Sequence, residues 1–167
     1  MGVIRAVLAV LAAALLAGCA GEQSKFLTYD GPEVTRMVVW KEMRVMELHH
    51  HDQVLMQVPI SLGFAPEGHK QRRGDGRTPE GTYIIDRRNP NSAFHLSLGI
   101  SYPDVNDNLV AREAGDDPGG DIFIHGKGPR FANATGDWTA GCVAVTDAQM
   151  ERIYAMVRTG TPVTILP

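Results

Sequence analysis

Apolar and polar residues alternate in several short segments of this chain. The clearest is residues 53–62, where Val54, Met56, Val58 and Ile60 occupy every second position. A period of two places these side chains on one face of a β-strand and the intervening ones on the other. Segments of similar character, rich in β-branched and large apolar residues, predict further strands at residues 34–40, 44–48, 82–86, 94–101, 122–124 and 163–166.

One segment near the C-terminus has a helical period instead. Thr146 and Gln149 are spaced as a capping box, in which each side chain bonds the backbone amide of the other residue. The apolar residues that follow at helical spacing are Met150, Ile153, Tyr154 and Val157. Gly160 and the following Pro162 predict the end of this helix.

The segments between the predicted strands are rich in turn-forming residues. Residues 49–52 predict a hairpin turn, and residues 63–81 and 103–120, with many Gly and charged side chains, predict long surface loops. Many strands, long loops and one helix in the C-terminal region predict a β-rich α+β fold. We expect a single domain, either a β-sandwich or a partly open barrel.

The N-terminal segment has the layout of a secretory signal peptide. A single positive charge at Arg5 precedes an apolar stretch, residues 6–16, that is too short for a span of about 20 residues. The following Leu-Ala-Gly-Cys, ending at Cys19, resembles the bacterial lipobox, whose cysteine is acylated. The alternative is an ordinary signal peptide that is cut near Ala20 or Gly21, with Cys19 in the discarded piece. We predict a signal peptide over residues 1–18, a tether over 19–33 and a catalytic domain over 34–167.

Lipid on Cys19 would anchor the protein to a membrane in the bacterial periplasm. Because Ala20 rather than Asp follows the cysteine, the sorting rule of enteric bacteria favours the outer membrane over the inner one. The net charge is −3 and the basic residues form no long run, so nucleic acid is not an expected partner.

Cys142 is the other of only two cysteines in the chain. Either fate of Cys19 removes it as a disulfide partner, which leaves Cys142 unpaired in an exported protein. A free thiol is chemically exposed in an oxidising compartment, so we predict that Cys142 serves through its reactivity. The alternative is a small apolar residue in the core.

A reactive thiol needs a base, because at a pKa of about 8.5 only a small fraction is ionised at neutral pH. His125 is the best candidate, since it follows a short predicted strand and precedes Cys142 by about 17 residues. The Gly126 carbonyl could orient its ring, and the amides of Gly141 and Cys142 could face a developing oxyanion.

These residues carry a family resemblance. His125-Gly126, a spacer and Thr139-x-Gly141-Cys142 resemble the signature of the L,D-transpeptidase (YkuD-type) catalytic domain. Residues 74–83 resemble that family's Gly-Asp-x-x-Thr-Pro-x-Gly-x-Tyr segment, and residues 160–165 match its closing segment. The resemblance implies the fold of that domain, with Cys142 as nucleophile, His125 as base, and Gly126, Thr139 and Gly141 as orienting or oxyanion residues.

The chain departs from the common family pattern at two positions. Ala140 stands where most members have a second histidine, and Ala144 stands where Arg or Asn is usual. The sequence around Cys142 is closer to the YafK-type branch, whose members include enzymes that cleave an amide between peptidoglycan and a lipoprotein.

The resemblance implies peptidoglycan stem peptides as substrate and requires no cofactor. Cys142 would attack the carbonyl of the third, diamino acid residue, expel an amine and retain a thioester. An amine acceptor then gives transpeptidation. Water gives hydrolysis, as in an amidase that trims stems or releases a peptidoglycan-linked lipoprotein. A further alternative is a non-catalytic, peptidoglycan-binding lipoprotein.

Four other side chains are candidates for substrate contact. Lys70 and Arg77 lie in a charge-rich loop and could pair with peptide carboxylates, although such a loop is often simply solvated. His95 could line the cleft or occupy an ordinary sheet position, and Trp138 could be a pocket wall or a core anchor.

The run of three histidines at residues 49–51 offers ligands suited to zinc or copper. Adjacent strand residues point to opposite faces, so three in a row rarely converge on one ion. We therefore predict no metal site there.

Overall fold

The computed structural model describes residues 24–167. Within them the strands are β1 (Arg36–Trp40), β2 (Val45–His50), β3 (Gln53–Pro59), β4 (Gly81–Asn89), β5 (Ser97–Ile100), β6 (Phe123–His125), β7 (Val143–Ala144) and β8 (Pro162–Leu166). The helices are α1 (Val105–Glu113) and α2 (Asp147–Met156), with a short 3-10 turn at Pro129–Phe131. The predicted β-rich α+β fold is confirmed.

All eight strands belong to one curled sheet in the order β3-β2-β1-β8-β4-β5-β6-β7. The first three form an antiparallel meander, and β8 enters between β1, its parallel neighbour, and β4, its antiparallel one. β4 is the longest strand and pairs first with β8 and then with β5. The register shifts between Ile85 and Arg87, and such an irregularity bends a strand.

The curl brings the two ends of the sheet together and fixes the segment around β7. Ser61, just after β3, exchanges two backbone hydrogen bonds of 2.8 Å with Ala144. The Phe64 amide donates to the Thr139 carbonyl at 2.9 Å. Residues 139–144 are therefore bound on both sides, by β6 and by the chain that leaves β3.

Alternating burial along the strands confirms the period-two pattern. In β1 and β8 the buried positions are Met37, Val39, Val163 and Ile165. Helix α2 adds Met150 and Ile153 to the same core. Full burial of each such side chain stabilises the fold by about 1.5–3 kcal/mol.

Helix α2 begins as its sequence predicts. Thr146 Oγ1 accepts from the Gln149 amide at 3.3 Å, and Gln149 Oε1 accepts from the Thr146 amide at 2.9 Å. The helix ends at Met156 rather than at the predicted Gly160. The Arg88 guanidinium donates to the Tyr154 carbonyl at 2.7 Å, near this C-terminus.

Helix α1 lies within residues 103–120, so the prediction of an irregular loop there is wrong. Asp104 caps the helix and forms a capping box with Asp107. Only Ala111 is buried, and the large apolar residues Leu109 and Val110 stay exposed. The helix therefore has no buried apolar stripe, which was the pattern used to find helices.

Candidate active site

His125 and Cys142 come from neighbouring segments at one edge of the sheet. β6 and β7 run parallel, with His125 beside Ala144. Cys142 directly precedes β7, and its Sγ accepts a hydrogen bond from the Phe123 amide at 3.4 Å. Phe123 and His125 are two positions apart on one strand and so point to the same face. The thiol and the imidazole consequently line one cavity of about 300 Å³.

The His125 ring is buried and its tautomer is fixed by its neighbour. Nδ1 lies 2.6 Å from the carbonyl oxygen of Gly126. A carbonyl can only accept, so Nδ1 carries the proton and Nε2 is the basic nitrogen of the neutral ring. This is the tautomer that a general base requires.

Burial shapes the protonation of both groups. It lowers the pKa of His125 below its ordinary value of 6.5, and the Gly126 carbonyl and Asp147 oppose this only in part. Burial likewise raises the pKa of the Cys142 thiol, opposed by the Phe123 amide and the charge of Lys70. Both shifts favour a neutral thiol beside a neutral imidazole at rest.

Thr139 holds the turn that leads into Cys142. Its buried Oγ1 accepts from the Gly141 amide at 3.1 Å and donates to the Cys142 carbonyl at 2.7 Å. Gly141 has φ of +132°, and a Cβ there would lie 2.6 Å from the Arg77 carbonyl oxygen, so only glycine fits. Because Thr139 occupies the Gly141 amide, the Cys142 amide is the better donor for an oxyanion.

Two carboxylates that sequence reasoning missed anchor the segments on either side. Asp137 receives the Arg44 guanidinium at 2.8 and 2.9 Å and the Leu62 amide at 2.9 Å. Asp147 Oδ1 accepts from the amides of Lys127 and Gly128 at 2.7 and 2.9 Å, which fixes the loop after His125. Asp137 precedes Thr139 by two residues, and Asp147 is the first residue of α2; both carboxylates position the site without lining its cavities.

An aromatic group packs behind the imidazole. The Phe94 ring lies 4.3 Å from the His125 ring, and the Trp138 ring lies 5.8 Å from it. Phe131 stacks on Trp138 at 4.7 Å. Trp138 thus packs against the base, and its indole N–H is buried with no partner within residues 24–167. The Phe94 and Trp138 rings contribute to the burial that lowers the pKa of His125.

A second cavity, of about 290 Å³, lies on the other side of the Cys142 thiol. It is bounded by Lys70, Arg73, Ala140, Asp121 and two glycines of residues 119–120. Lys70 is buried rather than solvated, and its ammonium pairs with Asp75 at 2.8 Å. Asp121 lines both cavities. The thiol therefore lies between an aromatic, largely neutral cavity and a charged one.

Of the four predicted substrate-binding residues, only Lys70 lines one of these cavities; Trp138 packs against the imidazole, and His95 and Arg77 have other partners. His95 Nε2 lies 2.7 Å from a carboxylate oxygen of Glu151 on α2. The Arg77 guanidinium approaches the His69 carbonyl at 3.4 Å. Both side chains are held by partners in the protein, which is why they do not reach the thiol.

The histidine run lies across the end of β2, with His49 and His50 in the strand rather than in the predicted turn. His49 Nε2 lies 3.0 Å from Glu47, whereas His50 Nδ1 lies 2.8 Å from the Glu33 carbonyl. Within residues 24–167 no three His, Cys, Asp or Glu side chains are grouped as a metal site.

The predicted signal peptide and the lipidation of Cys19 lie outside the described residues. In the part of the chain that the structure describes, neither helix has the length and apolar character needed to cross a membrane.

Comparison with known proteins places this geometry in a family. The L,D-transpeptidase catalytic domain (YkuD) matches residues 35–165. YafK of Escherichia coli strain K12 is 27% identical over 125 residues, which cover 71% of this chain and 45% of YafK.

Solved structures share the fold at lower identity. The helical cell shape determining protein Pgp2 from Campylobacter jejuni superposes with a TM-score of 0.65 at 22% identity, covering 87% of this chain and 51% of Pgp2. An L,D-transpeptidase from Mycobacterium smegmatis gives 0.54 at 15% identity, covering 80% and 59%. The chain spans about half the length of the first of these relatives. From residue 35 to residue 165, it belongs to the L,D-transpeptidase catalytic domain family.

Proposed function

We propose that this domain is a cysteine-dependent acyl transferase that works through a thioester on Cys142. The observation that carries the proposal is the His125 ring, whose Nδ1 is held by the Gly126 carbonyl and which lines the same cavity as the Cys142 thiol. Family membership supports the same chemistry. A non-catalytic binding module would have no need of this tautomer beside a free thiol.

The first half-reaction breaks an amide. As the Cys142 sulfur bonds to the carbonyl carbon, Nε2 of His125 takes the thiol proton. The oxyanion that forms would be stabilised by the Cys142 amide. Collapse breaks the C–N bond, Nε2 returns the proton to the leaving nitrogen, and an amine departs from a thioester.

The second half-reaction resolves the thioester. An amine or a water molecule gives its proton to Nε2 as it attacks the thioester carbonyl, and the C–S bond breaks. The sulfur regains a proton and the thiol is restored. An amine gives transpeptidation, which we take as the main reaction, whereas water gives hydrolysis. Both outcomes use the same two side chains.

We infer that the substrate is a peptidoglycan stem peptide, cleaved after its third, diamino acid residue. Such a peptide carries carboxylates and an ammonium group. The charged cavity beside Cys142 is lined by the cations Lys70 and Arg73 and by the carboxylate Asp121. Opposite charges in these positions suit a substrate of mixed charge.

We further propose that lipid on Cys19 holds the domain at a membrane of the bacterial periplasm, with residues 19–33 as the tether. A protein that remains attached to a membrane could reach nearby cell wall. Metabolic labelling with a fatty acid, compared between the full chain and Cys19→Ser, tests this attachment independently of catalysis.

The test of the catalytic proposal is incubation of the purified domain with isolated peptidoglycan, with and without covalently bound lipoprotein. Intact-mass measurement should detect an acyl adduct on wild type but not on Cys142→Ala. Product analysis then separates the outcomes: new cross-links indicate transpeptidation, and shortened stems or released lipoprotein indicate hydrolysis. Absence of both adduct and product with either substrate would overturn the proposal.

A further inference from the structure

Lys70 is a buried cation that the two-residue mechanism does not use. It lies in the segment between β3 and β4, and only 3% of its surface is exposed. Its Nζ donates to Asp75 Oδ1 at 2.8 Å and to the Arg72 carbonyl at 3.0 Å. Burying an ammonium is unfavourable even when it is paired, so its position calls for a reason beyond loop structure.

Asp75, the partner of Lys70, is ionised and accepts hydrogen bonds from several donors. Asp75 also accepts hydrogen bonds from the amides of Gln71, Arg72 and Arg77. Burial alone would raise the pKa of Asp75, but Lys70 and these amides outweigh it and lower the pKa to about 2. Asp75 therefore stays ionised as the partner of Lys70, and the charge of Lys70 still favours ionisation of the Cys142 thiol.

Lys70 also faces the nucleophile. It lines the cavity of about 290 Å³ together with Cys142 and Ala140. An ammonium has three N–H donors, and within residues 24–167 two of them have acceptors. The third has no acceptor among the described residues. Ala140 has no polar side chain, and Arg73, the other cation in that wall, is 68% exposed and pairs with Asp117, so Lys70 is the buried cation of the wall.

We infer that Lys70 supplies the positive charge that stabilises the anion formed at Cys142, first the thiolate and then the oxyanion of the acyl intermediate. This inference rests on the proposed function for its second part and on the thiol alone for its first. The two tasks in the site are then divided between two residues: His125 takes up the proton, and Lys70 stabilises the negative charge at Cys142.

Other charged groups lie near Lys70 and Cys142, and the test must distinguish their effects on the thiol from the effect of Lys70. On the far side of Lys70, a groove of about 600 Å³ is lined by titratable residues that include His69, Glu80, Asp104 and Asp107. On the Cys142 side, Arg73 and Asp121 face the same cavity. The Asp121 carboxylate opposes ionisation of the thiol, whereas Lys70 favours it, so their removal should have opposite effects.

The experiment measures the rate of alkylation of Cys142 by iodoacetamide from pH 5 to pH 10 in the wild type and in Lys70→Met, Lys70→Arg and Asp121→Asn. We expect Lys70→Met to move the profile to higher pH and to slow alkylation at pH 7 by roughly threefold to tenfold. Lys70→Arg should restore most of the rate. Asp121→Asn should move the profile the other way.

Lys41→Met is the matched control, because Lys41 is equally buried at 3% and pairs with Glu80 at 2.7 Å but lines neither cavity at the thiol. A thermal melt of each variant checks folding. If Lys70→Met folds but leaves the profile unmoved, or if Lys41→Met moves it equally, the inference is wrong.

If Lys70→Met does not fold, Lys70→Gln, which keeps a hydrogen-bond donor but carries no charge, takes its place and must show the same shift to higher pH; an unmoved profile in that variant overturns the inference. Alkylation needs no peptidoglycan. If no acyl-enzyme forms but Lys70→Met still shifts the alkylation profile, the proposed function is wrong and the effect of Lys70 on the thiol stands.

Discussion

The two sides of the Cys142 thiol differ in almost every physical property. On the His125 side the walls are aromatic, and the imidazole is buried with its tautomer set by the Gly126 carbonyl. On the Lys70 side the walls hold cations, a carboxylate and glycines. A proton relay works best in a dry, rigid setting, whereas charged substrate groups need fixed charges to pair with.

This division explains how a site can hold a thiol whose pKa burial raises. A thiolate at rest would need strong stabilisation in a low-dielectric setting. A neutral pair avoids that cost until substrate arrives, and the base then acts as the bond forms. Substitutions on the two sides are therefore expected to reduce activity for different reasons, through loss of proton transfer on the His125 side and loss of charge stabilisation on the Lys70 side.

The largest effect is expected for Cys142, the proposed nucleophile, which lines both cavities. Cys142→Ala removes the nucleophile, so turnover of peptidoglycan should fall by at least about a thousandfold. Folding should persist, because the sulfur makes few structural contacts beyond the Phe123 amide. Product analysis measures the loss, and circular dichroism measures the fold. Full activity in Cys142→Ala would show that the reaction does not proceed through a thioester on Cys142.

The next effect is expected on the proton side. His125→Gln keeps a polar side chain but cannot act as a base at neutral pH, so kcat should drop by about a hundredfold to ten-thousandfold. His95→Gln is its control, since His95 pairs with Glu151 and lines neither cavity. Acyl-enzyme formation is measured by mass at short times. Equal losses in both variants would indicate a general structural effect rather than loss of a base.

Much of the fold could be predicted because local patterns report it. The period-two segments and the Thr146–Gln149 capping box depend on neighbours within a few residues, and both are present. β7 is only two residues long, and α1 buries little apolar surface, so neither produces a periodic pattern of apolar residues in the sequence. The bridge from Ser61 to Ala144 joins positions far apart in the chain, and no local pattern encodes it.

The same distinction applies to the residues of the site, since some could be predicted from local sequence and others could not. Cys142 and His125 stand out because each is chemically unusual at its position and both belong to a motif. Asp147 and Phe94 do not, because their roles arise from contacts across the fold. In the sequence, Lys70 is one charge among several in a charged loop. Sequence could not reveal its burial, since that depends on how residues 70–77 wrap around Asp75.

A smaller effect tests the turn that supports both sides. Thr139→Val keeps the shape of the side chain but removes the hydroxyl that bridges the Gly141 amide and the Cys142 carbonyl. Loss of these buried bonds should cost about 1–3 kcal/mol of stability. A misplaced nucleophile should also lower kcat by roughly tenfold to a hundredfold. Thr139→Ser retains the hydroxyl and should recover most of both, as judged by thermal melts and turnover.

The smallest effect concerns the pH at which the base works. Burial lowers the pKa of His125 below 6.5, so the neutral ring persists to lower pH than a free imidazole would, and activity should too. Phe94→Ala admits water beside the ring and should raise that pKa toward its ordinary value. The acidic limb of kcat/KM should then move to higher pH, with a loss at pH 5.5 about threefold greater than at pH 8. Phe131→Ala removes a ring that stacks on Trp138, so it should lower stability without moving the limb. An unmoved limb in Phe94→Ala would mean that the aromatic wall shapes the cavity but does not set the proton affinity of the base.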